Sequence, residues 1–209
     1  MSTTTTATHL YIILDRSGSM TPRRREVVRG YNQFLETQKA LGDDCRVSVY
    51  FFSDTLTIHH EDRAITETPN LDLEEYHPCG MTALRDALGH VYARIADAPN
   101  DENLRRIILI LTDGMENASK HVSKERLEEL RGIVSNKAEI IYMGSNQDAI
   151  AVGDHVGATR EASISYNDNH LLDAMDTLAI AVTRARTEGI DVRFTDMERM
   201  RSSGDTVRL

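Results

Sequence analysis

A chain of 209 residues, 40% hydrophobic and 27% charged, has the composition of one globular domain that can bury a core without disulfide or metal staples. Its 24 basic residues against 33 acidic ones give a net charge of −9, which works against nucleic-acid binding, and aromatics at 5% with no Trp leave few rings to stack on bases. Met1 to His9 lacks the basic and apolar regions of a secretion signal, and Leu10 to Leu14 is too short to cross a membrane, so the expected location is the cytoplasm.

The polar, Thr-rich stretch 1–8 is expected to be a flexible N-terminus. His9 to Leu14 reads as a short strand buried on both faces. Pro22 opens a segment in which Val27, Val28, Tyr31, Phe34, Leu35 and Leu41 recur at helical spacing, and Gly42 stops it. Arg46 to Ser53 and Leu56 to Glu61 are strand-like, with only Asp54 and Thr55 between them. A parallel connection needs at least about a dozen residues, so this pair must be an antiparallel hairpin. Its second member is then an edge strand, guarded against further pairing by His59, His60, Glu61, Asp62 and Arg63.

Pro69 to Gly80 is loop-like, and Thr82 to Ala96 is helical with Leu84, Leu88, Val91 and Ile95 on one face. Ile107 to Leu111, the most apolar run, should be a central strand. A helix over Ser123 to Val134 turns Leu127, Leu130, Ile133 and Val134 inward. A strand follows at Glu139 to Met143, a short helix at Asp148 to Val156, a short strand at Ala162 to Tyr166 and a long helix at Leu171 to Arg186. The alternation implies an α/β fold: a doubly wound, mostly parallel sheet with one antiparallel edge strand and helices on both faces, over residues 9–186. Beyond it the pattern weakens. Residues 187–209 read as a loosely attached tail in which Thr195 and Glu198 form a capping box for one last helical turn.

In an open α/β sheet, ligands bind beyond the carboxyl ends of the strands. The first strand runs into Asp15-Arg16-Ser17-Gly18-Ser19, and the most apolar strand ends in Thr112-Asp113-Gly114. Cys79-Gly80-Met81-Thr82 precedes a helix, where the Thr82 hydroxyl can reach the same rim. Three segments thus bring only oxygen donors to one end of the sheet. Such a set favours a hard divalent cation, Mg²⁺ or Mn²⁺, over zinc. The two carboxylates balance its charge, and a partner's Asp or Glu can complete its shell.

Asp15-x-Ser17-x-Ser19, then Gly80-Met81-Thr82-Ala83-Leu84, then Thr112-Asp113-Gly114 resembles the von Willebrand factor A domain, in particular its stand-alone intracellular forms in bacteria and phages. The resemblance implies a Rossmann-like fold and a metal-ion-dependent adhesion site. In it Ser17, Ser19 and Thr82 ligate the metal directly, while Asp15 and Asp113 act mainly through water. It also implies a protein-binding role rather than an enzymatic one. Many members carry Gly-Gly-Thr where this chain has Gly80-Met81-Thr82, so the approach of that loop is a point of difference.

The alternative is a metal-dependent hydrolase using Asp15, as in haloacid-dehalogenase-like phosphatases. Those need a second acid two residues on, where this chain has Ser17. Arg23, Arg24 and Arg25 sit awkwardly at a helix start, where the dipole disfavours positive charge. Their place just past Ser19 suits a rim that steers an acidic partner. His59 and His60, adjacent on a strand, should point to opposite faces. Cys45 and Cys79 are too few for a thiolate zinc site and are expected to stay reduced, and His77 beside Cys79 reads as ordinary loop. Asp86 and Glu116 are spare carboxylates expected to tune the field of the rim.

Overall fold

Strand β1, Ala7–Asp15, lies inside a six-stranded sheet of order β3-β2-β1-β4-β5-β6. The others are β2 (Cys45–Phe52), β3 (Leu56–Ala64), β4 (Leu104–Thr112), β5 (Glu139–Ser145) and β6 (Ser163–Tyr166). The structure is a computed structural model that describes residues 7–42, 44–145, 149–167 and 169–204. All pairings are parallel except the hairpin β2–β3, which places β3 on the edge. Alternate residues of β1 feed two separate cores. Leu10, Ile12 and Leu14 face one side with helices α1 (Arg24–Lys39) and α5 (Leu171–Glu188). Tyr11 and Ile13 face the other with α2 (Leu84–Asp97), α3 (Lys124–Val134) and α4 (Ala149–Val156). The expected doubly wound architecture is the one observed.

The chain leaves β1 toward β2 and later returns on its other side as β4. The carboxyl ends of these two strands therefore border a crevice where the winding reverses, which is where this architecture binds ligands. Helix α1 begins at Arg24, two residues after the expected opening at Pro22. Gly18–Arg23, which contains Pro22, forms a 3₁₀ stretch first and holds this segment over the end of β1.

Several expectations need correction. Ala7 and Thr8 are not part of a flexible terminus, since both pair in β1 and Thr8 is buried. Ile133 lies on the outer side of α3, where the buried stripe is narrow and consists of Leu130 and Val134. His59 and His60 do not point to opposite faces. The pairing slips between Val49↔His60 and Tyr50↔Ile58, so the strand bulges and the two rings tilt together at 4.1 Å.

Residues 187–204 are not a loose tail. Val192 and Phe194 are buried in the core shared with α1 and α5, and α6 (Asp196–Ser203) starts on the expected Thr195–Glu198 capping box. Arg184 reaches Glu198 at 2.5 Å, and Arg199 donates to the carbonyls of Arg160 and Glu161 at 2.8 and 2.9 Å. Two isolated apolar residues and long cationic arms do the anchoring, and neither leaves a period in the sequence. Residues 1–6, Asp148 at the start of the expected short helix and the last five residues of the expected tail lie outside the described residues. Among the described residues no helix is long and apolar enough to cross a membrane.

Candidate metal centre

Asp15 ends β1 with its side chain fully buried, 0% exposed, and both carboxylate oxygens engaged. Oδ1 accepts the Ser17 backbone N–H at 2.7 Å, and Oδ2 accepts the Thr112 hydroxyl at 2.5 Å. The Tyr76 hydroxyl donates to the Asp15 backbone carbonyl. Burial raises the Asp15 pKa above the usual carboxylate range and Asp113 adds to that, while the hydrogen bonds from Thr112 and Ser17 pull it back. A buried acid facing a second acid is a place where a cation is welcome.

The loop before α2 is laid along the loop after β1 by two backbone bonds. Gly18 N–H donates to the Gly80 carbonyl at 3.0 Å, and Cys79 N–H to the Arg16 carbonyl at 2.9 Å. Gly80 has φ +74°, a conformation other residues adopt only with strain, and a Cβ there would lie 1.8 Å from Asp54 Oδ2. Met81 needs no such freedom. Its φ is not positive and its side chain points out, 51% exposed, which is why this chain keeps the loop's approach without a second glycine.

Thr82 is clamped from both sides by Asn117. Its N–H donates to Asn117 Oδ1 at 2.9 Å, and its carbonyl accepts the Asn117 N–H at 3.0 Å. Gly114 lets the end of β4 close in, since a Cβ there would stand 3.0 Å from Thr82 Oγ1 and 3.7 Å from Ser19 Oγ. Ser17 Oγ and Ser19 Oγ lie 3.0 Å apart, and Ser19 donates to Asp113 Oδ1 at 2.5 Å. All five expected residues, Asp15, Ser17, Ser19, Thr82 and Asp113, therefore meet on one rim. Ser19 is exposed while Asp15, Ser17 and Thr82 are buried, so the set forms a cup open at Ser19.

No group of three or more His, Cys, Asp or Glu among the described residues is arranged to hold a metal. The centre fits a hard cation only through its hydroxyls, two acids being too few alone. His77 is exposed and pairs with Glu74 at 3.5 Å, outside the centre. Cys45 is a free buried thiol and Cys79 a free exposed one.

The three arginines part company. Arg23 belongs to the centre: Nη1 donates to Asp113 Oδ2 at 2.7 Å, and Nη2 to Ser145 Oγ at the end of β5 at 3.3 Å. Arg24 turns away to the carbonyls of Leu73 and Tyr76, the latter at 2.8 Å, and holds the loop that carries Tyr76. Arg25 is exposed. Asp86 and Glu116 are tied into the loop after β4. Asp86 accepts the backbone N–H groups of Lys120, His121 and Val122, and Glu116 those of Arg85, Ala118 and Ser119. Those bonds pull both carboxyls below the usual range and fasten the β4–α3 loop to α2.

Sequence reasoning missed Asn117 and Tyr76, each contributed by an irregular loop with no motif of its own. Thr112 was visible inside Thr112-Asp113-Gly114, although its bond to Asp15 was not. Beyond Gly114 the rim opens on a groove of about 720 Å³ lined by Leu84, Leu88, Met115, Leu127, Val152 and Val156 among others.

Among solved structures, proximal thread matrix protein 1 from the mussel byssus, in a form with a zinc-occupied MIDAS motif, aligns with TM-score 0.61 and 17% identity over 84% of this chain and 46% of that one. The ArnB paralog VWA2 from Sulfolobus acidocaldarius aligns with TM-score 0.60 and 16% identity, over 84% of this chain and 45% of its own. Manganese-loaded TRAP protein from Plasmodium vivax aligns with TM-score 0.50 and 21% identity, over 67% and 57%. The chain thus spans less than half the length of the first two. No curated protein matches it. The family model described as von Willebrand factor type A domain matches residues 10–116, a span that runs from β1 past Asp113 and takes in all five residues of the centre. The chain belongs to the von Willebrand factor type A domain family.

Proposed function

We propose that this domain binds a partner protein through a divalent cation, Mg²⁺ or Mn²⁺, held by Ser17, Ser19 and Thr82 with Asp15 and Asp113 behind them. The observation that carries the reading is the meeting of three hydroxyls and two carboxylates from three segments at the switch point of the sheet. The ion would supply an electrophilic centre that takes an Asp or Glu oxygen from the partner. A similar structure with a zinc-occupied MIDAS motif and another that is manganese-loaded support the reading that this fold takes a divalent ion.

Although the whole chain is acidic, the charge placed beside the centre favours an incoming carboxylate. Two carboxylates balance a divalent ion, and Arg23, 2.7 Å from Asp113, adds a positive charge at the edge of the centre. The open lip at Ser19 is where an incoming carboxylate has access. The reading sets the domain in the cytoplasm, as a stand-alone bacterial or phage type.

Asp15 is poorly placed for hydrolysis. A nucleophilic carboxylate must reach its substrate, whereas this one is buried with an oxygen each on Ser17 and Thr112. Ser17 stands where a phosphatase of the haloacid-dehalogenase type keeps its second acid.

Titration calorimetry with Mg²⁺ and Mn²⁺ tests the reading. One site is expected in the wild type and loss of its heat in Asp113→Ala. A ligand specific to the folded state at about 100 times its Kd stabilises by about 2.7 kcal/mol, which raises the melting temperature by roughly 5–11 °C for a domain of this size. Equal binding by both proteins removes Asp113 from the centre. Partner capture that persists in chelator and in the Ser17→Ala, Ser19→Ala double mutant refutes metal-bridged binding.

A further inference from the structure

Arg23 is a fixed cation placed where another cation is expected. Its ion pair with Asp113 is largely shielded, with 12% of the Arg23 side chain and 4% of the Asp113 side chain exposed. The pair is held from two sides. Asp113 Oδ1 accepts the Ser19 hydroxyl at 2.5 Å, and Arg23 also reaches Ser145 on β5 at 3.3 Å. Asp113 is thus shared, one oxygen on the hydroxyl pair and the other on a guanidinium. Arg24 is committed to loop carbonyls and Arg25 to solvent, so the effect belongs to Arg23 alone among the three.

We propose that Arg23 sets the selectivity of this centre, weakening its hold on the metal ion while strengthening the loaded centre's hold on a carboxylate. The inference rests on the metal-bridged reading and adds a role that the five-residue motif does not contain. One fixed positive charge in a partly dry crevice repels a dication and attracts an anion, so it acts on the two binding steps with opposite sign. Removing it frees Asp113 Oδ2 and takes one positive charge from the edge of the centre.

The test uses the full chain and two probes, Mn²⁺ followed by calorimetry, and acetate followed by its displacement of water from the Mn²⁺-loaded protein through water-proton relaxation. Arg23→Gln is expected to bind Mn²⁺ about tenfold more tightly and acetate about tenfold more weakly, a coupling of ordinary size. Arg23→Lys, which keeps the charge, is expected to stay close to wild type in both, and near-ultraviolet circular dichroism checks that each variant is folded. Unchanged affinities in Arg23→Gln overturn the inference and leave metal binding standing. So does a parallel loss of both affinities, which marks Arg23 as a structural prop, or an Arg23→Lys protein that behaves like Arg23→Gln. A wild type that binds no Mn²⁺ removes the metal-bridged reading itself.

Discussion

Replacing Tyr76 by Phe deletes one oxygen atom and leaves the packing of the ring in place. That ring is fully buried and meets Phe51 edge-on, with centroids 5.8 Å apart. Burial holds its hydroxyl protonated, far above its ordinary pKa, so it serves as a donor to the Asp15 backbone carbonyl. Without it a buried carbonyl loses a hydrogen bond, at a cost of about 1–3 kcal/mol. Near the middle of that range, about 2 kcal/mol, a domain of this size melts roughly 4–8 °C lower. Thermal unfolding in EDTA isolates this effect from metal binding, and urea unfolding gives the free energy independently. Mn²⁺ affinity should fall several-fold, because the Asp15 carboxylate follows its own backbone. A melting temperature within about 1 °C of wild type would refute the reasoning, since it means that the Asp15 carbonyl has a sufficient donor elsewhere.

Arg24→Ala should destabilise by about 2 kcal/mol in urea by freeing the carbonyls of Leu73 and Tyr76, while Arg25→Ala, at an exposed position, should change stability by less than about 0.5 kcal/mol; equal effects would refute the division of labour between them. Gly114→Ala puts a Cβ 3.0 Å from Thr82 Oγ1, so calorimetry should show Mn²⁺ binding weakened by far more than the roughly 1 kcal/mol lost in stability. Burial lowers the His9 pKa to about 4, and its ring bonds Ser48 Oγ at 2.9 Å. The unfolded chain therefore binds more protons between pH 6.5 and 4, so this contribution is whole above pH 6.5 and is lost as pH falls toward 4, up to about 3 kcal/mol. His9→Gln should flatten the urea midpoint against pH over that window, and an unchanged slope would clear His9 of the effect.

The parts of the fold legible in the sequence were those with a period or a steric rule behind them. A two-residue connection at Asp54-Thr55 forced the β2–β3 hairpin, and the all-apolar run at Ile107–Leu111 marked a strand covered on both faces. What escaped was aperiodic. Val192 and Phe194 anchor the chain's end with two side chains, and the slip opposite Val49 turns His59 and His60 together, although every local pattern there reads as a plain strand. The centre divides the same way. Asp15, Ser17, Ser19, Thr82 and Asp113 are short-range words of sequence, whereas Asn117, Tyr76 and the place of Arg23 depend on loops whose paths are fixed by tertiary contact.

That division bears on how the centre works. The motif supplies oxygen atoms, but their separation is imposed by residues outside it: Asn117 sets Thr82, Tyr76 and Thr112 set Asp15, and the missing side chain of Gly114 lets β4 close on both hydroxyls. A site held this way is stiff before any ligand arrives, and stiffness limits the ordering cost that binding must overcome. The exception is the shared Asp113, drawn by Ser19 from one side and Arg23 from the other. Among the described residues it is the member of the set whose partner carries a full positive charge, so a cation entering the cup contends with Arg23 there. Among the described residues Asp15 is answered by neutral donors and has no such rival. The two carboxylates of one motif are thus unequal, Asp15 serving as the fixed floor of the cup and Asp113 as the point where its charge is balanced.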